Sequence, residues 1–122
     1  MKPPSLTTAA FVSHVEWPCR DLTCAQEFFQ RLFGWEFKAF GNNYLLCDNT
    51  AGPAIGLLRQ EEVTPARPCT VFVKVDSINE SVQTAIGLGG TLAVVKTAIP
   101  GYGWYAQLTD LDGNLVGLFE AL

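Results

Sequence analysis

The feature that most constrains this 122-residue chain is that one unit of structure is written in it twice. Residues 11–17, FVSHVEW, alternate apolar and polar side chains, the pattern of a half-buried strand. Pro18 is expected to end that strand, because proline cannot donate to a ladder. RDLTCAQEFFQRLFG then reads as a helix capped by Asp21 or Thr23. Leu22, Ala25, Phe28, Phe29 and Leu32 lie on its inner face, and Gly34 provides a left-handed stop. WEFKAF, YLLCD and PAIGLLR supply three strands, the first two joined through the Asn-rich turn GNN. The order is β-α-β-β-β over residues 11–59. A polar, proline-containing stretch within residues 60–68 reads as a linker, and the pattern restarts over residues 69–122. TVFVKV is a strand, and DSINESVQTAIGLGG is a capped helix with Ile78, Val82, Ala85, Ile86 and Leu88 as its apolar set. TLAVVKTA, YGWYAQLTD and NLVGLFEA follow as strands.

A shift of 56 residues sets Val15 on Val71, Trp17 on Val73, Leu22 on Ile78, Leu32 on Leu88 and Gly34 on Gly90. Duplicated units of this length share a core, since neither half can bury its own sheet alone. A helix covering one face of each sheet leaves Val12, His14 and Glu16 on the other face of the first strand. Thr70, Phe72 and Lys74 occupy the equivalent face of its repeat. In WYAQLTD, Tyr105 and Gln107 share one face while Trp104, Ala106 and Leu108 share the other. The glycines of GLGG follow a helix instead of opening one, so they are a helix terminus and not a dinucleotide loop.

Composition narrows the function classes. Hydrophobic residues make up 48% of the chain, which excludes disorder. Eight basic and twelve acidic residues give a net charge of −4 with no basic face, so nucleic acid is not an expected partner. No apolar run reaches membrane-spanning length. The stretch MKPPSLTTAAF lacks the apolar segment of a signal peptide, so export is not expected. Cys19, Cys24, Cys47 and Cys69 have no C-x-x-C spacing and read as reduced thiols of a cytoplasmic protein. One histidine and no paired cysteines exclude a zinc finger.

HVEWPCRDLTCAQEFFQRLFGW, VFVKVDSINESVQTAIGLGG and the terminal DLDGNLVGLFE resemble the vicinal oxygen chelate superfamily. That group contains glyoxalases, bleomycin-resistance proteins and extradiol dioxygenases. The resemblance runs from about Phe11 to Glu120. It implies an α+β fold, a single domain over residues 11–122 after an extension at 1–10, whose two modules curve a mixed sheet round a cavity. It also implies a homodimer. Metal-dependent members place four ligands on strand positions that fall here on His14, Gly56, Thr70 and Gly117. Glycine offers no donor and threonine a poor one, so no metal and no other cofactor is expected.

The residues then point to ligand recognition first. His14 and Glu16 are expected to orient a small apolar, aromatic or cationic molecule together with Gly56, Thr70, Phe72, Tyr105, Gln107 and Gly117. The two glycines are expected to leave room for a flat group to approach the backbone. A second expectation makes the chain a lyase or isomerase, with His14 and Glu16 as a metal-free proton shuttle or with metal ligands elsewhere. In that case a half-buried Glu16 beside His14 should favour the imidazolium. A regulatory module without catalysis is a third reading, for which no residue speaks.

Overall fold

The computed structural model describes residues 10–48, 51–64 and 69–122. Residues 1–9 of the expected extension and 65–68 of the expected linker lie outside them. Among the described residues the elements are β1 (Phe11–Cys19), α1 (Leu22–Phe33), β2 (Lys38–Ala39), β3 (Tyr44–Cys47), β4 (Ala54–Arg59), β5 (Thr70–Lys74), α2 (Ile78–Gly87), β6 (Thr91–Ile99), β7 (Gly103–Thr109) and β8 (Leu115–Ala121). This is the α+β class and the doubled β-α-β-β-β order that the repeat implies. The chain divides into two compact units, His14–Thr70 and Val71–Leu122, the second also taking in the start of β1 as far as Ser13. Their strand orders, β2-β3-β4-β1 and β6-β7-β8-β5, are the same topology. In each, the first strand runs parallel to the last, and the other three form an antiparallel meander.

In the first unit the Asp21 carboxylate accepts a hydrogen bond from the Cys24 amide at 3.0 Å and starts α1. Gly34, at φ 75°, ends it by donating to the Gln30 carbonyl. The inner side of α1 is centred on Phe29, which stacks on Trp17 with ring centroids 5.2 Å apart and touches Trp35 at 5.8 Å. Beneath lie Leu57 and Cys47, both fully buried. Phe28 and Leu32 are not part of this core, contrary to the helical pattern; they are 60% and 57% exposed. With Phe29 at the centre of the contact, Phe28 is rotated by about 100°. The sheet below, with a β2 of two residues, is too narrow to reach it.

Two further expectations need correction. Pro18 does not end β1, which stays paired with β4 through Pro18 and Cys19. The Cys19 carbonyl accepts from the Gln60 amide, so the backbone of Cys19 points toward β4 and that of Pro18 points away. A proline is tolerated at such a place because no bond to β4 is lost. WEFKAF forms a strand only at Lys38–Ala39, because Trp35 is drawn into the aromatic cluster, 4.8 Å from the Phe33 ring.

In the second unit Ser77 caps α2, accepting from the Glu80 amide at 3.2 Å. Ile78, Ala106, Leu108 and Leu118 form the buried core, with Val75, Val82, Ala85, Trp104 and Val116 packed round it. Ile86 and Leu88, expected in the apolar set, are 53% and 73% exposed; Ile86 stands in the last turn of α2, and Leu88 is the C-cap beyond its end at Gly87. The Asp-x-x-Gly-Asn motif is a self-contained turn. The Asp110 carboxylate accepts from the Asp112 and Asn114 amides, both at 2.9 Å, and from the Asn114 side chain at 3.0 Å. Those bonds hold the Asp110 carboxyl below the usual carboxylate range.

Glu120 links β8 to α2. Its carboxylate accepts from the Ile78 amide at 2.8 Å and lies 3.6 Å from Lys96 Nζ. Because Ile78 is 1% exposed, that amide has no ready replacement in water. Glu120→Ala should therefore cost about 1–2 kcal/mol in urea unfolding, and Glu120→Gln, which keeps an acceptor oxygen, clearly less. Equal stability of the Ala and Gln variants would show that the amide bond contributes nothing.

Candidate functional site

Strand register assembles a candidate site within the unit His14–Thr70. Parallel pairing of β1 with β4 sets His14 opposite Ala54 and Glu16 opposite Gly56. Antiparallel pairing of β3 with β4 sets Leu46 opposite Gly56 and Tyr44 opposite Leu58. Paired and alternate residues share a face. His14, Glu16, Tyr44 and Gly56 therefore lie on one side of the sheet, while Trp17 turns to the other side and stacks on α1. A Cβ built on Gly56 would land on the Tyr44 hydroxyl, so the phenol lies across the Gly56 backbone. Its hydroxyl donates to the Glu16 carboxylate.

Burial governs the charges of this group. It lowers the His14 pKa from 6.5 to about 4, so the imidazole is neutral near pH 7. The expectation of an imidazolium is thus corrected. The cause is the hydration that the buried ring loses. Burial also raises the Glu16 carboxyl above its usual range, a rise that the Tyr44 hydrogen bond opposes. The Tyr44 hydroxyl is pushed up by burial first and by the Glu16 charge second.

The other unit has an equivalent face of its own. Phe72 and Gln107 both stand opposite Gly117, and Tyr105 opposite Phe119, so Phe72, Tyr105, Gln107 and Gly117 share a face. Thr70, the last residue of the first unit, opens β5 two residues before Phe72. Phe72 is only 4% exposed, and the edge of its ring meets Tyr105 at 6.4 Å and 67°. A Cβ on Gly117 would come within 2.5 Å of Phe72 Cδ2. The room that Gly56 and Gly117 were expected to leave for a ligand is therefore taken by Tyr44 and Phe72.

Tyr44 is the residue that sequence reasoning missed. It is the counterpart of Tyr105: each stands opposite the residue two places after its module's glycine. Both pairs are 61 residues apart (44 to 105, 56 to 117), not 56. The second hairpin opens with a β6 of nine residues where β2 has two, which breaks a constant shift. An alignment that allowed this insertion would have matched the tyrosines.

The donor set does not fit a divalent metal. Of the four positions implied for ligands, two are glycines and one is a threonine, and Tyr44 fills the space beside Gly56. Among the described residues no three His, Cys, Asp or Glu side chains gather as a metal site. No disulfide joins the four cysteines, and no described helix is long and apolar enough to cross a membrane. An open groove of about 520 Å³ runs along α1 between Cys24, Glu27, Phe28, Arg31 and Leu32. The Arg31–Glu27 ion pair there is solvent-exposed, and the raised pKa of Cys24 comes first from the Asp21 charge on an exposed thiol, whereas burial shifts both His14 and Glu16, so the face of His14 is the better candidate.

No family model matches the chain, and no curated protein matches it in sequence. Solved structures do. A hypothetical protein from Bacillus halodurans C-125 superposes with a TM-score of 0.77 at 13% identity, over 93% of this chain and 96% of its own. Methylmalonyl-CoA epimerase from Mycobacterium tuberculosis gives 0.72 at 16% identity, over 91% and 87%. The NAD-dependent benzaldehyde dehydrogenase from Legionella pneumophila gives 0.68 at 18%, over 89% and 98%. Likeness at these identities speaks for architecture and not for activity. Methylmalonyl-CoA epimerase belongs to the vicinal oxygen chelate superfamily, and the doubled module described above is the fold they share: the chain has the vicinal oxygen chelate fold.

Proposed function

We propose that the chain is a metal-free binding protein that takes a small cationic molecule with an aromatic or apolar body on the His14–Glu16 face. The observation that carries this reading is the Glu16 carboxylate. It is partly withdrawn from water, it is hydrogen-bonded to Tyr44, and burial is the main cause of its raised pKa. An arriving cation compensates the lost hydration, which is what makes a desolvated carboxylate a cation site. The neutral His14 beside it adds no repelling charge. The overall charge of −4 favours the approach of a cation. A thermal-shift panel of benzylammonium, benzyltrimethylammonium, benzyl alcohol and benzoate tests it. The two cations should raise the melting midpoint, by the equivalent of about 2.7 kcal/mol at a hundred times Kd, and Glu16→Gln should abolish the rise. Stabilisation by benzoate, or by cations equally in Glu16→Gln, would sink the reading.

A second reading, a metal-free isomerase or lyase, draws on the same pair. A neutral imidazole next to a carboxylic group of raised pKa could pass a proton to and from bound substrate. Any turnover found should fall at least a hundredfold in His14→Gln; intact turnover in that variant would remove it.

A further inference from the structure

We infer that Tyr44 is a third binding group of this site and sets its preference for amines that carry N–H donors over quaternary ammonium. The inference rests on the proposed binding of cations at Glu16 and names the class of cation. Gly56 stands directly opposite Glu16 in the β1–β4 register, on the shared face. A side chain at that place would project into the site beside Glu16, and the space is occupied instead by the Tyr44 hydroxyl. Tyr44 reaches it from β3, where it stands opposite Leu58, two residues along β4 from Gly56.

The chemistry of the phenol then fixes what it can offer a ligand. A tyrosine hydroxyl has one proton to donate and lone pairs to accept with. Here the proton is committed to Glu16, which leaves the phenol oxygen as an acceptor. An ionised carboxylate is likewise acceptor-only. Two acceptors held side by side suit a primary or secondary ammonium group, which can give one N–H to each. A quaternary ammonium carries the same charge but has no N–H, and leaves both oxygens partly desolvated and unpaired.

Tyr44→Phe isolates this role, because the ring stays over Gly56 while the hydroxyl is lost. Calorimetric titration at pH 7.5 with benzylammonium and benzyltrimethylammonium should give the wild type at least a tenfold preference for the primary amine. The preference should shrink to about twofold or threefold in Tyr44→Phe. A wild type that binds both cations equally, or a variant that keeps the full preference, overturns the inference. A second readout needs no ligand. The Glu16 carboxyl carbon, followed by NMR against pH, should titrate at higher pH in Tyr44→Phe, because the hydrogen bond that holds its pKa down is gone. An unchanged midpoint overturns the role of Tyr44 even if cations bind. If neither cation binds the wild type, the cation reading and the amine preference fall together, while the NMR titration still decides whether Tyr44 holds Glu16.

Discussion

Gly117→Ala is expected to destabilise the protein by about 1–3 kcal/mol, the usual cost of forcing a methyl group into a filled space. The new Cβ meets Phe72 Cδ2 at 2.5 Å, Cγ at 2.6 Å and Cε2 at 2.7 Å. Cγ is the root of the ring and cannot swing aside, and a side chain 4% exposed has nowhere to go. Shortening the obstacle should relieve the strain. In urea unfolding, Phe72→Leu combined with Gly117→Ala should be more stable than the sum of the single changes predicts, by roughly 1 kcal/mol or more. Strict additivity, or a neutral Gly117→Ala, would show that the ring is not packed on this glycine. Gly56→Ala should behave differently, because its nearest neighbour is the hydroxyl end of Tyr44, which can rotate away. Its loss of stability should be the smaller of the two, yet it should dislodge the Tyr44–Glu16 bond and raise the Glu16 pKa as Tyr44→Phe does.

The contrast between these glycines also shows what could be read from the sequence and what could not. The doubled order of elements was legible because the helix signals are local: Asp21 and Ser77, 56 residues apart, cap α1 and α2. The outward face of each first strand was legible from alternation, which placed His14, Glu16 and Phe72 away from the helices. What an exposed flank costs was not legible, since Phe28 fits the helical period and is left uncovered by the width of the sheet below it. Nor was the occupant of the space at Gly56, because a missing side chain says nothing about which neighbour fills the gap. That answer lies in register. Tyr44 reaches Gly56 only because β3 pairs with β4 as it does, and a one-residue slip would have turned the phenol to the helix side.

His14 should make the protein acid-sensitive in a window set by burial. Its folded-state pKa is about 4, against 6.5 for an ordinary histidine. Between those values the unfolded chain binds a proton that the folded chain refuses, so stability rises with pH. The stability His14 contributes is fully present above about pH 6.5 and is lost as pH falls through about 4. A depression of this size corresponds to at most about 3 kcal/mol across the window. Glu16 works in the opposite sense. Its folded-state pKa is raised from 4.5, so its contribution is full below that value and is lost as pH rises through the raised one. Asp21 and Asp110, whose carboxyls are held below their usual range, act at the lower end and are common to every variant compared. Urea unfolding at half-unit steps from pH 4 to 7.5 separates the two site residues. His14→Gln should flatten the rise of stability with pH or reverse it, exposing the Glu16 slope. Glu16→Gln should steepen the rise, because only the histidine limb remains. If His14→Gln kept the wild-type slope, the imidazole would have to bind its proton equally well in the folded and the unfolded chain, and burial would not set its charge. The acceptors of Glu16 and Tyr44 would then have a positive charge beside them only below about pH 6.5, and cation binding should weaken as the pH falls through that value.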